Sequence, residues 1–216
     1  MVTRGKFISL EGGDGAGKST QGRTLAQRLR AKGHEVILTR EPGGSPFAER
    51  IREEILTEKG SALNATQQAI LFAAARADHV TTLIEPALAR GNWVVCDRFA
   101  DSTEAYQGAG GAPAPMMALL KQVAVGDVVP DLTVVLDLAP REGLRRAVAR
   151  DALDPFEADE MAVQEARRAA FLEIAARNPK RCVLINAARS PDDVAGAIWR
   201  VVTERLLTPA ASAEPA

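Results

Sequence analysis

Ten residues near the start of the chain, Glu11–Thr20, read EGGDGAGKST and leave few choices of architecture. Gly12 to Ser19 fits G-x-x-x-x-G-K-[ST], and the pattern sits in the context it needs. Before it, Lys6–Glu11 reads as a buried strand; after it, Lys18–Lys32 carries Leu25, Ala26 and Leu29 at helical spacing, with Gly33 as a stop. A strand feeding a helix through glycines lets several backbone N–H groups point at one anion. The helix N-terminus adds partial positive charge at the same spot. The whole loop, Gly12, Gly13, Asp14, Gly15, Ala16, Gly17, Lys18, Ser19 and Thr20, is therefore the candidate cradle for the phosphates of a nucleoside triphosphate. Lys18 is expected to reach the outer phosphates, and the Ser19 hydroxyl to face Mg²⁺.

The rest of the chain repeats the strand-then-helix rhythm. Further strands are expected at Glu35–Thr39, Trp93–Asp97, Leu132–Leu138 and Arg181–Asn186. Helical patterns run over Thr66–Arg90, Pro115–Val125, Pro140–Arg150, a stretch ending near Ala176, and Pro191–Leu207. Such alternation implies an α/β fold: a parallel five-stranded sheet of the P-loop NTPase type, with helices on both faces. Residues 1–207 read as a single domain with a short lid at about 150–160, and 208–216, small and Pro-containing, as a flexible tail.

Composition excludes several functions. Lys+Arg 27 against Asp+Glu 28 gives no excess charge for nucleic acid. No apolar run approaches a membrane span, and none near the N-terminus is long enough for a signal peptide. Cys96 and Cys182 lie at apolar runs without metal spacing, as buried thiols would. A cytoplasmic protein is expected. Aromatic residues make up only 4% of the chain, so an aromatic in polar company raises a question.

Several residues beyond the loop carry chemistry. Val94-Val-Cys-Asp97 and Val134-Val-Leu-Asp137 both end a strand on an aspartate suited to a metal; Asp97 is favoured because Arg98, Asp101 and Ser102 follow it. Asp14, inside the loop, would repel a triphosphate unless a metal or a cation offsets it. Arg40 and Arg98 follow the second and third strands, so both should face the crevice beyond the strand ends. Guanidinium forks grip a phosphate bidentately, which suits a monophosphate acceptor. Phe72 and Arg76 share a helix face at i, i+4, either stacking on a base and reading its edge or serving the core. Arg145, Arg146 and Arg150 border the polar stretch Asp151–Glu160, either as a basic lid or as a solvated face. His34 and His79 have no partner at catalytic spacing and receive no role.

In order along the chain, EGGDGAGKST, TREPGG (Thr39–Gly44), LFAAAR (Leu71–Arg76), CDRFADSTEAYQG (Cys96–Gly108) and PDLTVVLDLAP (Pro130–Pro140) resemble the bacterial thymidylate kinase family from about residue 6 to 205. The resemblance implies ATP-dependent, Mg²⁺-assisted phosphorylation of dTMP to dTDP in a homodimer. By it, Arg40 and Arg98 would hold the dTMP phosphate, Arg76 and Gln107 would contact thymine, and Phe72 would stack on it. Arg52, Ser102 and Thr103 would complete that pocket, and Tyr106 would sit near the sugar. Lys18, Ser19 and Thr20 would bind ATP and its metal, with Asp14 and Asp97 near the Mg²⁺ and the acceptor. Lys18, Arg98, Arg150 and Asp14 are the catalytic candidates.

The lid departs from the family pattern. Where L-D-R-x-E is common, this chain has Leu153-Asp-Pro-Phe-Glu157, with Pro155 in the arginine's place. Arg150 is then the candidate transition-state cation, with Arg146 second. Two rivals stand beside this reading: a kinase for another nucleotide or nucleoside, and a nucleotide-switched binding protein. The second lacks its guanine-reading N-K-x-D, since Asn64, Asn92, Asn178 and Asn186 are never followed by Lys.

Overall fold

The computed structural model describes residues 3–148 and 160–208. Five parallel strands, β1 (Phe7–Gly12), β2 (Val36–Arg40), β3 (Trp93–Asp97), β4 (Leu132–Asp137) and β5 (Cys182–Asn186), form one sheet in the order β2-β3-β1-β4-β5. The helices are α1 (Lys18–Ala31), α2 (Pro46–Ile55), α3 (Glu58–Ser61), α4 (Ala65–His79), α5 (Glu85–Ala89), α6 (Ala100–Ala109), α7 (Ala114–Val125), α8 (Pro140–Val148), α9 (Met161–Arg177) and α10 (Pro191–Val202).

Side chains alternate across the pleat, so each strand serves two layers. Ile8, Leu10, Val95, Val134 and Leu136 pack on Leu25 and Leu29 of α1 and on Val194 and Ile198 of α10. Phe7, Val94 and Cys96 point the other way, onto Ala73, Leu88 and Val125 from α4, α5 and α7. Phe171 and Ile174 of α9 cover Val135 and Cys182 on that second face. Helices therefore cover both faces, as the strand–helix rhythm implied. Truncating a fully buried Leu10 or Leu29 is expected to cost about 2–5 kcal/mol, because the close-packed layer refills the hole only in part.

Each expected strand is present to within a residue of the sequence reading. The helices differ more. The single region Thr66–Arg90 is divided: α4 ends at His79, a π-turn spans Val80–Ile84, and α5 follows. Pro86 is the cause. It has no N–H to give and its ring crowds the carbonyl four residues back, so the chain widens by a residue before it. The last helix likewise ends at Val202 and passes into a π-turn over Thr203–Leu207. Two helices, α2 and α6, lie where no helix was expected, and α3 is a short turn between α2 and α4.

The site is placed by β1. Its neighbours β3 and β4 belong to opposite halves of the sheet, and a crevice opens beyond the strand ends at such a switch point. Leu10 is in register with Asp97 and with Val134, so the glycine loop and the turn after β3 leave the sheet side by side.

Candidate active site

The loop after β1 is shaped by close backbone contacts. Gly15 has φ 72°, and a Cβ there would meet the Gly143 carbonyl of α8 at 2.2 Å. Only glycine lets the loop lie against that helix. Within the loop, Lys18 is buried and its Nζ donates to the carbonyls of Gly12 and Gly13, at 3.1 and 2.7 Å. Burial pushes the Lys18 ammonium down to about 8, with the positive Arg98 nearby adding to it. An anion delivered to the loop would restore that charge.

The Ser19 hydroxyl donates to Asp97 Oδ2 at the mouth of the loop. The rival strand-end aspartate, Asp137, is held instead by both Nε and Nη2 of Arg168, at 2.6 and 3.0 Å. Asp97 is thus the aspartate that faces the loop. Among the described residues no cluster of three or more His, Cys, Asp or Glu forms a self-sufficient metal cage. One hydroxyl and one carboxylate are what a Mg²⁺ ion uses when phosphates and waters supply its other ligands.

Asp14 has its cation in Arg98. Arg98 Nη2 donates to Asp14 Oδ1, and the Tyr106 hydroxyl donates to Oδ2 at 2.7 Å. Burial works against ionisation of Asp14, but Arg98 and Lys18 outweigh it and hold the carboxyl below its usual range. Both Asp14 oxygens are thus engaged, one by Arg98 and one by Tyr106. The same guanidinium donates to Gly12 O and Ser102 Oγ, both at 3.2 Å, and to the Tyr106 hydroxyl at 2.9 Å. Arg98 and Arg167 also lie over the Tyr106 ring, 4.8 and 4.4 Å from its centroid. Burial drives the Tyr106 phenol up, so it stays a hydrogen-bond donor at every ordinary pH.

Beside this cluster lies a cleft of about 110 Å³. Asp14, Arg52, Phe72, Arg76, Arg98, Ser102, Thr103, Tyr106 and Gln107 all line it, although they come from five separate segments. Arg76 is fixed by its neighbours: Nε donates to Glu41 Oε2 at 2.6 Å, and Nη2 to Thr103 Oγ1 at 2.9 Å and Phe99 O at 3.2 Å. Gln107 donates to Gln68 at 3.1 Å. A second, wider cleft is lined by Asp14–Thr20, Asp97, Arg98, Glu142, Arg145, Arg146, Ala187 and Arg189.

The two clefts share Asp14, Glu41, Arg52 and Arg98. One expected member is displaced. Arg40 lines only the wide cleft, and its Nη2 is turned to Glu49 Oε2 at 2.8 Å, half exposed. Arg52, braced on the Pro42 carbonyl at 3.1 Å, lines the smaller cleft together with Arg76 and Arg98. The reason is reach: Arg40 is the last residue of an edge strand, whereas α2 carries Arg52 over the cleft. Arg150 and most of the lid fall outside the described residues.

Two buried carboxylates beside the site, Glu41 and Glu11, went unread in the sequence. Glu41 is buried between Arg76 and His79, whose Nδ1 lies 3.0 Å from Oε1 and whose Nε2 lies 2.9 Å from Thr39 Oγ1. The i, i+3 spacing of Arg76 and His79 was the available signal, since it puts both on one helix face. Glu11, taken only as the end of a strand, has its whole carboxyl inside the protein.

A family model described as "Thymidylate kinase" matches residues 10–198. A Bradyrhizobium sp. (strain BTAi1) thymidylate kinase is 51% identical over 214 residues, 97% of this chain and 95% of that protein. One from Caulobacter vibrioides is 53% identical over 206 residues, 95% of this chain and 99% of that protein. The crystal structure of the Ehrlichia chaffeensis thymidylate kinase superposes with a TM-score of 0.76 at 31% identity, covering 92% of this chain and 99% of that one.

Proposed function

The chain belongs to the thymidylate kinase family, and from that membership and the two joined clefts we infer that it transfers the γ-phosphate of ATP to dTMP, giving dTDP and ADP for dTTP synthesis. The observation that carries the reading is the junction: the residues shared by the two clefts stand where a donor and an acceptor phosphate must meet.

Transfer between phosphates needs alignment and charge neutralisation more than a strong base. The glycine loop and Lys18 hold the donor phosphates, and Lys18 leaves the Gly12 and Gly13 carbonyls to do so. Arg98 and Arg52 grip the phosphate of dTMP, with Arg40 at the rim. Phe72 stacks on thymine, Arg76 and Gln107 read its edge, and Ser102 and Thr103 close the wall. Tyr106, pinned through its hydroxyl to Asp14 and Arg98, packs at the sugar and leaves no room for a 2′-hydroxyl. Asp14 keeps Arg98 aimed at the junction. Ser19 and Asp97 would hold Mg²⁺, which would supply positive charge to offset that of the phosphates. We assign the transition-state cation to Arg150, with Arg146 behind it.

We also propose a cytoplasmic homodimer. No helix among the described residues is long and apolar enough to cross a membrane. Ile70 of α4 and Leu119 and Val123 of α7 are 47%, 60% and 73% exposed on two helices that pack together, an apolar face suited to a second copy. Sedimentation as a monomer alone would remove the dimer.

The test of the reaction is ADP release from ATP with dTMP, dUMP, dCMP, CMP, AMP and GMP as acceptors. Clear preference for dTMP is expected. Turnover with CMP or AMP equal to that with dTMP would contradict the acceptor assignment.

A further inference from the structure

Glu11 is the residue just before the glycine loop, yet its side chain turns from the loop to the corner between β3 and α6. It is fully buried, and both carboxylate oxygens are engaged: Oε1 accepts the Phe99 N–H at 2.8 Å and Oε2 accepts the Ser102 hydroxyl at 2.6 Å. Ser102 Oγ in turn accepts from Arg98 Nη1 at 3.2 Å. Arg98 stands between these contacts with φ 69°, the only positive φ at a non-glycine residue among those described. An L side chain disfavours that region and stays there only where the surroundings over-determine it.

Two successive residues of β1 supply the constraint. Leu10 catches the Arg98 N–H with its carbonyl, at 2.9 Å, and Glu11 catches the next amide with its side chain. The next strand carbonyl, Gly12 O, is taken instead by Lys18 and Arg98. Helix α6 begins at Ala100 with no side-chain cap of its own, so Glu11 also brings an acceptor to its first turn from a different strand. The charges facing the carboxyl are Arg98 and Asp101. Burial pushes it up to about 8 and Asp101 adds to the rise, while Ser102, Arg98 and the Phe99 amide oppose it. A buried acid so placed is costly to keep, and the strained arginine is what it holds.

We propose that Glu11 is a positioning residue for the transfer, fixing through Phe99 and Ser102 the Arg98 guanidinium at the junction of the two clefts. The inference rests on the reading above that Arg98 grips the acceptor phosphate.

A cycle of Glu11→Gln and Arg98→Ala tests it, with kcat/KM for dTMP and KM for ATP measured on each protein. Gln keeps the volume but presents an amide in place of one of the two accepting oxygens. Glu11→Gln should lower kcat/KM for dTMP by about tenfold or more, since small misplacements of an aligned group are expensive. KM for ATP should stay within about twofold, and in the Arg98→Ala background the same change should alter kcat/KM less than about twofold. Ser102→Ala, which cuts the same relay from the hydroxyl side while Glu11 stays in place, should show the same dependence on Arg98 and serves if Glu11→Gln fails to fold. An equal loss in both backgrounds, or a matching rise in KM for ATP, overturns the positioning role and leaves Arg98's own role standing. An unchanged kcat/KM in Arg98→Ala alone overturns the reading of Arg98 and this inference with it.

Discussion

The acceptor cleft and the donor cleft share a wall but are held together by opposite means. In the acceptor cleft the functional groups hold one another: Arg98 and Asp14 are 19% and 13% exposed, Arg76 and Glu41 only 5% and 4%. In the donor cleft the outer arginines face water, Arg145 at 74% and Arg40 at 51%, paired with the surface carboxylates Glu142 and Glu49. Breaking a buried pair by removing one partner costs about 3–5 kcal/mol, whereas an exposed pair is worth about 0–1 kcal/mol. The acceptor side is therefore set before any ligand arrives. On the donor side, arginines are free to leave a carboxylate for a phosphate at little cost.

Substitutions should respect that asymmetry. Lys18→Ala, at the one donor group that is buried, should lower kcat by about 10²–10³, the usual effect of removing a preorganised electrostatic group; near-normal turnover would contradict the phosphate cradle. Arg98→Ala should lower kcat/KM for dTMP by about 10²-fold, because it frees Asp14 and misaligns the acceptor. In pH profiles, kcat/KM for ATP should fall about tenfold per unit above about pH 8, as Lys18 loses its proton in the free enzyme. Lys18→Arg should abolish that limb, and its persistence there would assign it to another group. Stability runs the other way: the folded pKa lies below the ordinary 10.5, so the unfolded chain binds the extra proton between about 8 and 10.5 and the fold gains stability as pH rises through that window. Arg145→Ala should change KM for ATP by less than about threefold, the scale of an exposed pair. A loss from Arg145→Ala larger than that from Arg98→Ala would invert the contrast between the clefts.

The same division explains what could be read from the sequence. The strands were legible because they are short apolar runs, and the loop because its spacing is dictated by an anion. Helix α6 was not, because it buries Asp101, Ser102, Thr103 and Gln107 instead of an apolar stripe, and periodicity sees only the latter. Helix α2 did carry a signal, Ser45 as N-cap before Pro46 at the first helical position. The acceptor residues were named chiefly through family likeness. Their cooperation depends on hydrogen bonds between distant segments, such as Glu41 with Arg76 and Glu11 with Ser102, that no local pattern encodes. Arg40 illustrates the limit: a strand-end position predicts the crevice, but not which of two neighbouring carboxylates or phosphates the side chain will face.

Calorimetric titration of dTMP into the protein with no ATP present tests most directly whether the acceptor half is built in advance. The expected result is saturable binding at one dTMP per chain, weakened about tenfold or more by Arg98→Ala and little changed by Arg145→Ala. Binding that appears only after an ATP analogue is added, or equal weakening by the two substitutions, would contradict it.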